Sequence, residues 1–270
     1  PFIVFLYSKI SRSSYVYHLQ DIHPEATNIE VKLNSKLFTF LKELDSLVIR
    51  NASSIITITQ TMKDEITARS KTKSKIHLID NPTANIIGNS KNKIKGFVFS
   101  GNAGKFQRIP LLLKSIDKYK GQGGMLPFLF IGAGVYSDEI RSLSSKYKEI
   151  IYTGLVDANE ANDLTSRYEW ALLPIDDKVT KYAFPSKTSS YLCCGVNILS
   201  ICSEQTSVAK WVVDNNYGIN ILPKVDDLVS IFFKIENGLT INKKPVNQNY
   251  FSIENFVQKI FNTLFNKVRV

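Results

Sequence analysis

Cysteine is scarce in this chain: Cys193, Cys194 and Cys202 are the only three, an odd set with two members adjacent on an expected apolar helix. That excludes a disulfide framework and a tetrahedral zinc site, so no metal is expected, and it points to a reducing compartment. Long apolar runs are also missing. The opening Phe2-Ile3-Val4-Phe5-Leu6-Tyr7 is too short to span a bilayer and lacks the basic flank and cleavage site of a secretory signal, so a cytoplasmic protein is expected. Acidic residues are the minority, 24 against 34 Lys and Arg, for a formal charge of +10 that favours phosphate-bearing or anionic-surface partners. The lysines are scattered, as at Lys63, Lys71, Lys73, Lys75, Lys91, Lys93 and Lys95, with no Arg-rich arm or aromatic RNA-binding signature. No nucleic-acid partner is expected. Exact repeats and low-complexity segments are absent. The chain starts at Pro1 rather than Met and enters an apolar run at once, the pattern of a sequence whose upstream part is missing.

What is present is an alternation of short apolar strands with helices. With 270 residues, 44% of them hydrophobic, two modest domains are the starting expectation. Residues 14–19 form a strand-like run that ends in the polar turn Gln20-Asp21-Ile22-His23-Pro24-Glu25. A helix follows through Phe38, Leu41, Leu44, Leu47 and Val48, then a strand at 54–59, a helix opening at Thr61, and a strand at 75–79. The polar stretch 85–95 reads as a linker between residues 1–84 and a second domain at 96–245. There the strands at 95–100, 128–131, 150–156, 171–174 and 197–200 alternate with helices, which predicts a parallel, doubly wound sheet. Residues 246–270 end in an amphipathic helix over Phe256, Val257, Ile260, Phe261, Leu264 and Phe265. That helix is expected to pack on a core rather than enter a membrane.

The loops hold the candidate chemistry. Gly101-Asn102-Ala103-Gly104-Lys105 and Gly132-Ala133-Gly134 each lack the full dinucleotide-binding spacing, and alone such glycines simply permit tight turns. Loops after parallel strands nevertheless converge on one sheet edge, and Lys105 and Arg108 lie where a diphosphate would receive charge. Pro185-Ser186-Lys187-Thr188-Ser189-Ser190 opens a helix that Gly195 ends, with the donors of Lys187, Thr188 and Ser189 expected to face outward from its first turn. It reads either as an ordinary capped helix or as an anion site. Asp21 reads either as a turn former or as a polar catalytic group beside His23, while His18 and His77 read as structural.

The order of these signals resembles the group 1, GT4-type glycosyltransferases of GT-B fold, especially those assembling bacterial surface polysaccharides. The residues behind the likeness are the 17–25 turn, the 101–108 loop, Phe130-Ile131-Gly132-Ala133-Gly134, Tyr152-Thr153-Gly154-Leu155-Val156, and the stretch from Pro185 to Gly195. The resemblance implies two Rossmann-like domains facing a cleft, the N-terminal one incomplete, with the last helix returning to it. It places a nucleotide-diphosphate sugar in the second domain. Val156 would lie near the base, Lys105 and Arg108 near the diphosphate, and Gly101, Asn102, Gly104, Gly132 and Gly134 in the lining. Pro185, Ser186, Lys187, Thr188 and Ser189 would form the helix start. Asp21 and His23 would face the acceptor. The family usually has two glutamates separated by seven residues around this helix; Tyr182 and Ser190 stand at those positions, leaving Ser190 near the ribose.

The implied activity is transfer of a sugar to a lipid-linked glycan at the cytoplasmic membrane face, with retention at the anomeric carbon and no cofactor. An anionic membrane surface is the expected third partner. Two alternatives stand beside it: a GT-B-like nucleotide-sugar epimerase, and a non-catalytic nucleotide-sugar-binding subunit.

Overall fold

A computed structural model describes residues 1–83, 92–241 and 246–265. They divide into two compact units, the first made of Pro1–Pro82, Lys178–Pro185 and Tyr250–Val270, the second of Thr83–Asp177 and Ser186–Asn249. Residues 85–91 of the expected linker lie outside the described residues, and Ile94 and Lys95 already belong to a strand. Lys178–Pro185 falls in the first unit rather than with 96–245, because the Ile22 N–H donates to the Tyr182 carbonyl at 2.8 Å and Asp21 forms a β-bridge with Ala183.

In the first unit β1 (Val16–His18), β2 (Ser54–Thr57) and β3 (Lys75–Leu78) form a parallel sheet in that order. Central β2 is buried throughout, which its Ser-Ile-Ile-Thr sequence suits because a parallel strand is covered on both faces. The opening apolar run is α1 (Phe2–Ser11), and α2 (Glu25–Glu30) follows the polar turn. The long helix α3 (Ser35–Asn51) starts where the Asn34 side chain accepts the Lys36 N–H at 2.9 Å, an N-cap that satisfies one orphan donor. Thr59 does the same for α4 (Gln60–Ser70), which stops at Lys71 in a left-handed conformation, φ 54°. Val48, Ile49, Ile55, Ile56, Met62 and Ile66 form the buried interior.

The second unit is larger. Its strands are β4 (Ile94–Ser100), β5 (Phe128–Ile131), β6 (Ile150–Gly154), β7 (Tyr168–Pro174), β8 (Asn197–Ile201) and β9 (Gly218–Ile221). All pair in parallel, in the order β6-β5-β4-β7-β8-β9. The crossovers are α5 (Ile109–Gly121), α6 (Ser137–Lys146), α7 (Ala158–Ser166), α9 (Lys187–Cys193), reached through the short α8 (Asp177–Thr180) whose residues from Lys178 on belong to the first unit, and α10 (Ser207–Asp214), with α11 (Val225–Glu236) after β9. An aromatic cluster anchors one face: Phe97 stacks on Phe128 at 4.9 Å, and Phe232 of α11 packs on both. Each buried phenylalanine contributes about 2–3 kcal/mol of apolar burial. All three cysteines are buried and unbridged.

The final helix, α12 (Ile253–Phe265), belongs to the first unit, where Phe256 meets the His18 ring at 5.7 Å. Its packing is shallow: none of its residues is buried.

Candidate functional site

The strand order of the second unit creates its site. The chain builds β4, β5 and β6 outward, then returns to lay β7 on the other side of β4, so the loops after β4 and β7 diverge at a topological switch point. In open α/β sheets that crevice is where ligands bind. Here the two loops are tied together: the Asp176 N–H donates to the Phe106 carbonyl at 2.7 Å, and Arg108 Nε donates to the Ile175 carbonyl at 2.8 Å.

Gly101 ends β4 with φ 135°, a conformation open to glycine, and a Cβ there would meet Lys187 Nζ at 3.5 Å. Gly132 and Gly134 have a different reason to be glycine. A Cβ on Gly132 would lie 2.2 Å from the Gly101 carbonyl oxygen, and one on Gly134 would lie 2.4 Å from that of Ala103. Backbone hydrogen bonds from Gly101 to Ile131 and from Ala103 to Ala133 lock these two loops together. Both glycines therefore serve loop-on-loop packing. Asn102 and Lys105 are exposed on the same loop, with Gly104 buried between them. Val156 sits farther along the sheet edge, half-buried in the turn between β6 and α7, next to the widely exposed Leu155.

Three cations were expected near the anion, and the structure separates them. Arg108 is already compensated: its Nη2 lies 3.0 Å from Asp177 Oδ1. Asp177 also accepts from the Ser203 N–H at 3.0 Å and from its hydroxyl at 2.5 Å. Burial alone would raise the Asp177 carboxyl, but the Ser203 hydrogen bonds and the Arg108 charge outweigh it and hold the group below the ordinary carboxylate range. Lys187 is the opposite case. Its Nζ lies 4.1 Å from the centroid of the buried Phe99 ring, and among the described residues it has no carboxylate partner. Desolvation pushes its pKa down to about 7. Lys105 is exposed and makes no ion pair among the described residues.

The helix beneath Lys187 differs from expectation in its first turn. Thr188 and Ser189 are each only 1% exposed and engaged inside the protein, so their side chains do not face outward. At seven residues the helix is too short to present more than its own first turn, and its second and third positions are drawn against the sheet. Ser186 takes the N-cap position with helical dihedrals and no side-chain cap, just after the half-buried Pro185. Gly195 does close the helix in the left-handed region, φ 70°. Ser190 is half-buried with its hydroxyl 3.1 Å from that of Thr83.

Tyr191 was not anticipated from sequence. Its hydroxyl accepts the Ser100 N–H at 3.0 Å and lies within 3.3 Å of the Ser100 and Leu172 carbonyls. It thereby pins α9 across the β4/β7 switch point and fixes where Lys187 stands. Phe99 and Asp177 were also missed, because nothing in their local sequence marks them as neighbours of Lys187 and Arg108.

In the first unit Asp21 and His23 are exposed in the loop after β1. His23 Nδ1 lies 2.8 Å from the Thr27 hydroxyl, and its carbonyl accepts from Arg69 Nη1 at 2.8 Å. Beneath the loop, Arg69 is 1% exposed in its side chain and pairs with Glu25 at 2.6 Å and with Asp45. The Tyr17 hydroxyl donates to Asp45 at 2.9 Å. This buried network holds the candidate acceptor-side loop in shape. Among the described residues no group of three or more His, Cys, Asp or Glu could hold a metal ion.

No protein-family profile matches the chain, and no curated protein matches it. Solved structures do. S. aureus TarM, crystallised with fondaparinux, alpha-GlcNAc-glycerol and UDP, aligns with TM-score 0.63 at 12% identity over 93% of this chain and 50% of its own. The lipopolysaccharide outer core galactosyltransferase WaaB aligns with TM-score 0.65 at 16% identity over 99% and 74%. The pneumococcal O-GlcNAc transferase GtfA, crystallised with UDP and GlcNAc, gives 0.58 at 12% over 99% and 55%. The fold is that of the GT-B glycosyltransferases. At these identities the likeness is one of fold, and the chain spans about half the length of TarM and GtfA. Both GT-B units are α/β with parallel sheets, the second complete in its 3-2-1-4-5-6 strand order.

Proposed function

We propose that this chain works in a GT4-type glycosyltransferase that moves a sugar from a nucleoside diphosphate to a lipid-linked glycan in surface-polysaccharide assembly. The reaction proceeds with retention, without a metal, at the cytoplasmic face of an anionic membrane. One observation carries the donor half of this reading: Lys187 is a desolvated lysine over the Phe99 ring at the switch point, with no counter-charge of its own among the described residues, so that a bound anion is what would hold it fully charged. A diphosphate supplies the missing charge. When the bond to the anomeric carbon breaks, negative charge grows on the departing phosphate, and a cation already fixed there stabilises that state without reorganising. Lys105 adds a mobile charge at the rim. Asp21 and His23, on a loop anchored from below by Arg69, orient the acceptor hydroxyl.

The experiment is thermal protection by UDP, GDP and their sugar conjugates, followed by transfer assays on the full protein. Protection that disappears in Lys187→Met supports the donor site, and a wild type protected by none of these nucleotides rejects it. Asp21→Asn should then lower turnover while leaving donor affinity intact. A second reading rests on Ser190, whose hydroxyl is turned to Thr83 where the resembled family has a carboxylate. It makes the chain a nucleotide-sugar-binding subunit, and tight donor binding without turnover in the full-length protein would favour it. Isomerisation of the sugar nucleotide alone would instead identify an epimerase.

A further inference from the structure

Helix α12 has two apolar sides and uses one. Phe256 reaches the His18 ring and Ile260 is half-buried, whereas Ile253, Val257, Phe261, Leu264 and Phe265 are each at least 45% exposed. The spacing of Ile253, Val257, Phe261 and Leu264 draws them into a single stripe along the helix. Only one acid, Glu254, lies on the helix, at its first turn. Lys259 and Asn262 of α12 line a groove of about 440 Å3 whose other wall includes Ser54, Lys75 and Leu78.

Lys75 also belongs to a second groove, of about 560 Å3, shared with Arg50, Lys71 and Lys73. No aspartate or glutamate lines either groove. None of these four cations makes an ion pair among the described residues, and all four are exposed. The loop that presents them is held in shape: Lys71 stands in the left-handed region, and the Ser74 hydroxyl donates to the Ala52 carbonyl at 2.6 Å. Ser54 and Lys75 are the first residues of β2 and β3, so the four cations lie at the amino edge of the sheet, and α12 runs from there toward Leu78 at the carboxyl end of β3. Asp21 and His23 follow the carboxyl end of β1, at the edge opposite the four cations.

We propose that the first unit docks on an anionic bilayer through this band, with Arg50, Lys71, Lys73 and Lys75 against lipid phosphates and the outer stripe of α12 in the acyl boundary. Uncompensated lysines beside an exposed amphipathic helix fit a sheet of phosphates backed by hydrocarbon. The basic groove has no aromatic side chain on which a base could stack, so a nucleic acid fits it poorly. The inference rests on the membrane part of the proposed function and names the surface responsible.

The test is co-sedimentation of the full chain with phosphatidylcholine vesicles, with and without about 30 mol% phosphatidylglycerol. Wild type should bind the anionic vesicles, weaken with salt, and bind neutral ones poorly. Lys71→Glu with Lys73→Glu should lower that binding about tenfold or more, and Val257→Ser with Phe261→Ser should lower it too. Lys114→Glu with Lys210→Glu, which makes the same change in net charge on the second unit, should leave it unaltered. Thermal protection by UDP, unchanged in every variant, shows that each is folded. Equal losses from both charge pairs, or full displacement by millimolar inorganic phosphate, would overturn the assignment. If wild type binds and the α12 and Lys71/Lys73 variants bind as well, this surface is wrong and the membrane reading survives. If wild type binds no vesicle, both fall.

Discussion

Among the described residues, two cations withdrawn from water, Arg69 in the first unit and Lys187 in the second, have opposite surroundings; Lys120 of the second unit, buried 3.5 Å from Glu149, follows the pattern of Arg69. In the first, Arg69 is enclosed with Glu25 and Asp45, and the free positive charges stay on the outside. In the second, Lys187 is desolvated at the carboxyl edge of the sheet with the Phe99 ring beneath it and no carboxylate partner among the described residues, while nearby Arg108 has its own carboxylate. A neutralised buried charge holds a fold together, and an unneutralised one is held by the fold for something else. The contrast sorts scaffold from site better than charge counting does.

Breaking the scaffold side should give the largest effect. Arg69→Met leaves two carboxylates without their cation in the first unit, and we expect a loss of about 3–5 kcal/mol in urea unfolding. If stability is unchanged, Arg69 belongs with Lys187 and the contrast is void. Lys187→Met should do the reverse. In the folded chain burial pushes the Lys187 pKa down to about 7 from its ordinary 10.5. Between those values the unfolded chain keeps a proton that the folded chain has released, so this group makes stability rise with pH through the window. The variant lacks that slope and should exceed wild type most below pH 7, by a few kcal/mol since each pKa unit is worth about 1.4 kcal/mol. Its affinity for UDP should fall. Calorimetric melting from pH 6 to 10 with and without UDP reads both effects.

Arg108 and Lys105 sharpen the comparison further. Loss of the Arg108 side chain frees Asp177 as well as a donor, so Arg108→Ala should weaken UDP binding by about 1.5–3 kcal/mol and lower stability slightly. Lys105→Ala should weaken binding by less, about 0.5–1 kcal/mol, with no change in stability. Titration calorimetry that ranks Lys105 above Arg108 would mean the Asp177 pair keeps Arg108 away from the ligand. The smallest effect belongs to Ser190→Ala, expected to cost about 0.5–1.5 kcal/mol for the hydrogen bond with Thr83. A larger loss of donor affinity would put Ser190 in the ribose contact that the family likeness implies.

The alternation of elements was legible in the residues alone. Helix α3 follows from the three- and four-residue spacing of Phe38, Leu41, Leu44 and Val48, β2 from its β-branched run, and the end of α9 from Gly195. Hydrophobic period and turn chemistry are local, and a short window holds all the information they need. The glycine loops and the cluster of Lys105, Arg108 and Lys187 were legible as candidates for the same reason. Their division of labour was not. That Thr188 and Ser189 turn inward depends on which face of α9 meets the sheet, and that Arg108 is neutralised depends on Asp177, 69 positions along the chain. The stripe left exposed on α12 is likewise invisible to periodicity, which shows that a face is apolar but not whether anything covers it. Sequence determined which residues hold charge and where the chain turns. Only the tertiary structure decided which charges meet a partner, because desolvation and pairing are set by neighbours that the chain brings together from far apart.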